Sequence, residues 1–433
     1  MVSKKERTMG LWSAVSIGVG AMVGAGIFSI FGTAAQISGQ AVYISFIIAG
    51  LMAFLSTYSY AKMSVKYPSA GGPAEFLIRG FGDNIITGGL NIMLWFGYIF
   101  GLALYAKGFS YYAMTFFPSG TPIIWSHILA TLIVILFMLV NFFGAKAVGK
   151  SEFFIVTVKV GILFFFAIVG LFYIQPENLS LSSIQYGNMF FGAGMVFLAY
   201  QGFGLITNTA EDIKDPEKNL PRALYLSVVI VMVIYVLVSI TVMGNLSVSE
   251  VVSAKDYALA AAARPFLGHL GFIFMAATAL FSTSSAINAS LYGGANISYI
   301  LAKHGELPKS FDRKLWRSGT EGLFITVFLV LFFTNFVNLE GIGVLASLSL
   351  LIIYIGVNIA HLRLFRKTGA NPLIIVSALI GSIVFCGVLV LYESTQIYVV
   401  VVFLVLLCLC FLVEGVYRSY TGREYKIRNN RTR

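Results

Sequence analysis

Apolar runs of about twenty residues recur along this chain, and they constrain the fold before anything else does. A helix needs roughly 20 apolar residues to cross a hydrocarbon core of about 30 Å. Inside that core only helices and closed barrels satisfy their own backbone hydrogen bonds. Runs of this length suit helices, and twelve are found, at about 11–38, 41–65, 84–115, 122–142, 151–174, 188–209, 222–244, 267–301, 321–337, 341–362, 371–391 and 396–417. Only 11% of the residues are charged, against about 25% in a soluble domain. The expected fold class is therefore all-α, a polytopic membrane protein with twelve transmembrane helices. The first run is long and lacks a small-residue cleavage pattern after it, so it reads as a span and not as a removable signal.

The lysines and arginines orient these spans. With the N-terminus placed in the cytoplasm, 25 of the 29 basic residues fall on one side. They run from Lys4, Lys5 and Arg7 through the loops at 62–79, 146–150, 214–222, 303–317 and 363–367 to the tail from Arg418. The opposite loops hold Lys255 and Arg264. Such asymmetry is the positive-inside rule, and it puts both termini in the cytoplasm of a multi-pass protein of the cell membrane. It also reads the net charge of +11 as topology and lipid contact, with no nucleic acid as partner. Lys107, near the far end of the third span, is expected to snorkel to the headgroups. Cys386, Cys408 and Cys410 all lie in apolar segments, which argues against a disulfide framework. The four histidines have no metal-ligand spacing, and no cofactor is expected.

Lys159 is the one basic residue that this topology leaves deep in a span. It stands eight residues past Ser151, about 12 Å along the helix, where a lysine costs about 2.5–3.5 kcal/mol on insertion scales. A residue held there at that cost reads as functional, or as a strut bonded to carbonyls of a neighbouring helix; both can hold together. The first span carries a second anomaly, Gly18, Gly20, Gly24 and Gly26 near the expected midplane. Glycine is unfavourable in a helix interior. Two readings account for it: close helix packing through small residues four apart, or a helix broken at midplane whose free amides face a substrate. The sixth span repeats the oddity with Gly192, Gly194, Gly202 and Gly204 around Gln201. It lies five spans later and enters from the opposite side, as expected of a five-plus-five inverted repeat with helices 1 and 6 broken. The eighth span adds Ser282, Thr283, Ser284, Ser285, Asn288 and Ser290. Hydroxyls at this spacing bond back to their own helix, join helices, or line up as oxygen ligands for a cation or a lysine ammonium.

Several stretches resemble the amino acid–polyamine–organocation transporter family. They are Gly24-Ala-Gly-Ile-Phe28, Tyr67-Pro-Ser-Ala-Gly-Gly-Pro-Ala-Glu-Phe76, Glu211-Asp-Ile-Lys-Asp-Pro-Glu-Lys-Asn-Leu-Pro-Arg222 and Tyr299-Ile-Leu-Ala-Lys-His-Gly-Glu-Leu-Pro308. They cover spans one to eight in order; the last four spans carry no motif. The run around Lys159 and Gly293-Gly-Ala-Asn296 is most similar to sodium-independent, proton-coupled members. The resemblance implies that the amides of Gly24, Ala25 and Gly26 hold a substrate α-carboxylate, in keeping with the preference of helix N-termini for anions. It implies that carbonyls of Met22 and of Leu198 or Gln201 hold the α-amino group, with Phe203 covering the pocket. In sodium-coupled relatives of this fold, carbonyls matching Gly20 and Val23 and hydroxyls of span eight bind an ion. Here the resemblance puts the Lys159 ammonium in that place, near Gly20, Ser284 and Ser285.

The implied activity is sodium-independent symport of protons with amino acids, small neutral ones such as alanine or serine, by alternating access. An exchanger or uniporter of the same fold is the nearest alternative, and a membrane amino-acid sensor a more distant one. An enzyme is not expected, since the spans hold no histidine or carboxylate cluster of the kind hydrolases need. The expected organisation is a cytoplasmic N-terminus at 1–10, a ten-helix transport core at 11–366, two further helices at 367–417 and a basic cytoplasmic tail at 418–433.

Overall fold

The helix that the others pack around is α1, Leu11–Ser38. The computed structural model describes residues 7–143, 148–179, 186–316, 319–392 and 397–422. Lys4, Lys5, Lys146, Arg317 and the basic tail from Arg423 therefore lie outside the described residues. After α1 come α2 (Val42–Lys66), a short α3 (Pro73–Phe81), α4 (Ile85–Met114), α5 (Ile124–Phe143) and α6 (Val148–Leu171). The second half holds α7 (Tyr186–Val196), α8 (Gly204–Thr207), α9 (Pro216–Asn245), α10 (Val248–Ser253) and α11 (Ala258–Lys303). It closes with α12 (Glu321–Phe336), α13 (Leu339–Thr368), α14 (Pro372–Tyr392) and α15 (Ile397–Thr421). Among the described residues, strand structure is a small ribbon, Lys314–Trp316 against Gly319–Thr320, and an isolated bridge between Met9 and Ile213.

Ten stretches among the described residues are long and apolar enough to cross a membrane, against the twelve expected. The difference lies in how the spans are joined and how long they are. α1 and α2, each long enough to cross, run together across the Gly39–Ala41 turn and count as one stretch, while α12, Glu321–Phe336, falls short of full span length. One expected span, at 267–301, begins where α11 bends. Gly268 takes φ 64°, ψ −161°, a left-handed conformation that suits glycine, and it separates the short segment from Ala258 from the long one that follows.

The sixth span is interrupted as expected. α7 ends at Val196, a 3₁₀ segment follows over Phe197–Phe203, and α8 resumes at Gly204. The first span is not: α1 stays helical through Gly24, Ala25 and Gly26, which corrects the expected break there. Packing supplies the reason. A Cβ on Gly24 would collide with the Cβ of Ala286 on α11, and one on Gly26 would lie 2.6 Å from the Cβ of Ala199. A Cβ on Gly202 would lie 2.6 Å from Met22 N, so α1 and the 3₁₀ segment cross backbone to backbone. The glycines buy this close approach without the helix having to open.

At the far end of α1, α10 and the 3₁₀ turn Lys255–Tyr257 lie across it, with the Lys255 carbonyl against Gly32. Lys255 pairs with Glu340 of α13 at 3.4 Å. Lys107 does not snorkel as expected. It is buried, and its ammonium donates to the Val337 carbonyl where α12 meets α13. A carbonyl at a helix C-terminus lacks its intrahelical donor, so it is a ready acceptor there.

Gly26→Ala is expected to destabilise the protein by about 1–3 kcal/mol through overpacking against Ala199. Gly10→Ala, with open space around it, is the control. Thermal unfolding in detergent checks both; equal melting temperatures would contradict the packing account.

Candidate functional site

Three carbonyls in the middle of α1 accept hydrogen bonds from side chains of three other helices. Lys159 on α6 is fully buried, 0% exposed, and its ammonium donates to Gly20 O at 2.8 Å. Tyr235 on α9 donates its hydroxyl to Met22 O at 2.5 Å and lies 3.3 Å from Ala199 O of the 3₁₀ segment. Ser282 on α11 donates to Val23 O at 2.8 Å. A carbonyl oxygen has two lone pairs, so it can serve an intrahelical bond and a side-chain donor together. That is how α1 remains helical while offering acceptors to its neighbours.

Gly20 and Val23 are the carbonyls expected at a cation-like place, and Lys159 is the cation found at Gly20. The hydroxyl that reaches Val23 is Ser282; Ser284 and Ser285 are half-buried one turn or so along α11. Asn288 of the same helix accepts from Asn141 of α5 at 2.8 Å. Tyr235 was not foreseen. Tyr225 stands in the same apolar run of span seven, and the sequence alone does not tell the two tyrosines apart.

A cavity of about 70 Å³ lies between α4, the interrupted span six, and α13. At about 10–15 Å³ per water-sized site, that is room for a handful of non-hydrogen atoms. Leu198 and Gln201 line it, as does Ala21 of α1; Tyr98 and Tyr105 of α4 and Tyr354 of α13 form much of the rest. No charged residue is among its lining. The other expected substrate contacts stand elsewhere in this state. Gly24 and Gly26 face Ala286 and Ala199, and the Met22 carbonyl is engaged by Tyr235. The Ala25 side chain lies outside the described residues. Phe203 is fully buried behind the cavity wall, edge-on to Tyr60 at 5.3 Å and tilted on Tyr354 at 5.8 Å.

Gln201 is the notable wall residue. It is 8% exposed, and neither its amide nitrogen nor its amide oxygen has a hydrogen-bond partner among the described residues. A buried amide left unpaired costs about 1–3 kcal/mol, so a wall of this kind favours an occupant that brings both a donor and an acceptor. At the Pro73 end of the cavity, Asn208 donates to the Tyr98 hydroxyl at 3.4 Å and packs on Gly72.

The chain matches the family model for amino acid permeases over residues 9–413. It is 43% identical over 426 residues to the uncharacterized protein MJ0609 of Methanocaldococcus jannaschii, covering 97% of this chain and 98% of that one. It is 35% identical over 385 residues to the inner membrane transport protein YbaT of Escherichia coli, 88% of this chain and 90% of that one. It is 24% identical over 330 residues to the branched-chain amino acid permease BcaP of Bacillus subtilis, 71% of this chain and 70% of that one.

Since the Gln201 amide has no partner among the described residues, Gln201→Leu is expected to leave the melting temperature in detergent unchanged or raised. Uptake of substrate by the same variant is expected to fall at least tenfold. A lower melting temperature with full uptake would show the amide to be structural.

Proposed function

The chain belongs to the amino acid permease family, and from that premise we propose that it is a sodium-independent symporter of protons and neutral amino acids. It is a membrane transporter and not an enzyme. The observation that carries the proposal is the Lys159 ammonium bonded to Gly20 O between α6 and α1, with Ser282 on the neighbouring Val23 carbonyl. A fixed cation in that place leaves no need for sodium. It also gives the proton a carrier: a lysine can lose its charge when the surroundings change, which a metal ion cannot do.

In this reading the protonated lysine holds α6 against α1 by a charge-assisted bond, about twice as strong as a neutral one. Loss of the proton weakens that bond and frees α1 to shift against its neighbours. Opening of α1 at its glycines would then present the Gly24, Ala25 and Gly26 amides to a substrate carboxylate. The carbonyl of Leu198 or Gln201, two residues that line the cavity, would take the substrate's ammonium. A cavity with no charged lining suits an uncharged side chain, and the name of one relative, a branched-chain amino acid permease, points the same way. With both termini cytoplasmic, as the basic loops suggest, the cavity reaches toward Pro73 on the cytoplasmic side of the cell membrane.

Uptake of radiolabelled alanine and leucine into proteoliposomes, with an inward proton gradient and no sodium, tests the proposal. Concentrative uptake that a protonophore collapses is expected, and Lys159→Ala is expected to lose at least tenfold of that accumulation. Equilibration unaffected by the gradient would make the protein an exchanger or uniporter and leave Lys159 a strut.

A further inference from the structure

Four glycines border the cavity, and they are not there for one reason. A Cβ on Gly202 would lie 2.6 Å from Met22 N, and one on Gly97 would lie 2.9 Å from Leu350 Cδ2, so both hold neighbouring elements close. On Gly204 it would make an ordinary contact with Tyr60 at 3.6 Å. Gly101 differs. It is buried in the middle of α4, yet a Cβ there would meet nothing nearer than the ring of Tyr105 at 3.9 Å, one turn along the same helix. Neither packing nor backbone conformation calls for a glycine at this position.

A glycine inside a helix is less stable than an alanine. Here the missing methyl leaves space that the protein itself does not fill, on the wall of the cavity. The cavity's lining has an aliphatic part, from Leu94 on the same helix to Leu198, Leu205 and Leu350, beside the rings of Tyr98 and Tyr105. We propose that Gly101 sets the upper size of the side chain the cavity admits, and that this side chain is uncharged, aliphatic and larger than a methyl group. The inference rests on the amino-acid transport reading above and adds to it a substrate class and the residue that selects it.

The selection is steric and acts on the larger substrates. A methyl added at Gly101 takes the place of one methyl or methylene of the occupant, and a pocket distinguishes one such group by about 10–200-fold. Small side chains do not reach that wall and are spared. The same change is expected to leave the fold intact, because alanine meets no atom closer than ordinary contact there.

The test is Gly101→Ala beside the wild type in proteoliposomes, with uptake of alanine, valine and leucine at matched concentrations and thermal unfolding of each protein. The expected result is a leucine-to-alanine uptake ratio at least tenfold below wild type, with an unchanged or higher melting temperature. Gly101→Val is expected to extend the loss to valine. An unchanged ratio would overturn the proposal, as would an equal loss for all three substrates from a folded variant. A wild type that takes up alanine but neither valine nor leucine would overturn it while sparing the transport reading. A wild type that takes up no amino acid would overturn both.

Discussion

A buried ammonium bonded to a helix carbonyl is the interaction on which the rest of this arrangement depends. Lys159 has no exposed surface, and its bond to Gly20 O joins α6 to α1 in the middle of the bundle. A charge buried without compensation is costly enough that the group would surrender its proton instead. A hydrogen bond to a charged group contributes about 1.5–3 kcal/mol, so a protonated Lys159 and the position of α1 would each hold the other in place. Tyr235 and Ser282 use the same device from α9 and α11, on carbonyls two and three residues further along. Three helices are thereby registered on one short stretch of α1 backbone.

That stretch works because glycines flank it. Gly24 lies against Ala286 and Gly26 against Ala199, while Gly202 brings the 3₁₀ segment of span six onto Met22. Backbones in such contact can meet donors that would otherwise be held off by a Cβ. The cavity opens just beside this crossing, between Ala21, Leu198 and Gln201 and the face of α4 that carries Tyr98, Gly101 and Tyr105. A shift of α1 against α6 thus moves a wall of the cavity directly. At the far end α10 and its following turn close over Gly32, tied to α13 through Lys255 and Glu340.

Much of this was legible in the sequence, for identifiable reasons. The spans showed because hydrocarbon tolerates few polar groups, and Lys159 showed because a charge in such a run is expensive. Its placement at Gly20 came from the resemblance to transporters and not from spacing. The interruption of span six was legible, but that of span one was misread, since glycines that permit close packing look the same as glycines that permit unwinding. Ser284 and Ser285 came from the resemblance too, and helical spacing alone does not say which hydroxyl of that run meets α1. Tyr235, Tyr98 and Gly101 were out of reach: their roles exist only once α4, α9 and the 3₁₀ segment are brought together. An empty space beside a glycine leaves no trace in a sequence.

The central claim is that Lys159 carries the coupled proton, and it is tested most directly by watching that proton. A pH-sensitive dye inside proteoliposomes reports lumenal acidification when a neutral amino acid is added outside, with no sodium and no imposed gradient. The account predicts acidification in step with amino-acid entry for the wild type and none for Lys159→Met, whose side chain keeps the length but not the charge. Amino-acid entry with no acidification in the wild type, or equal acidification in both proteins, would contradict it.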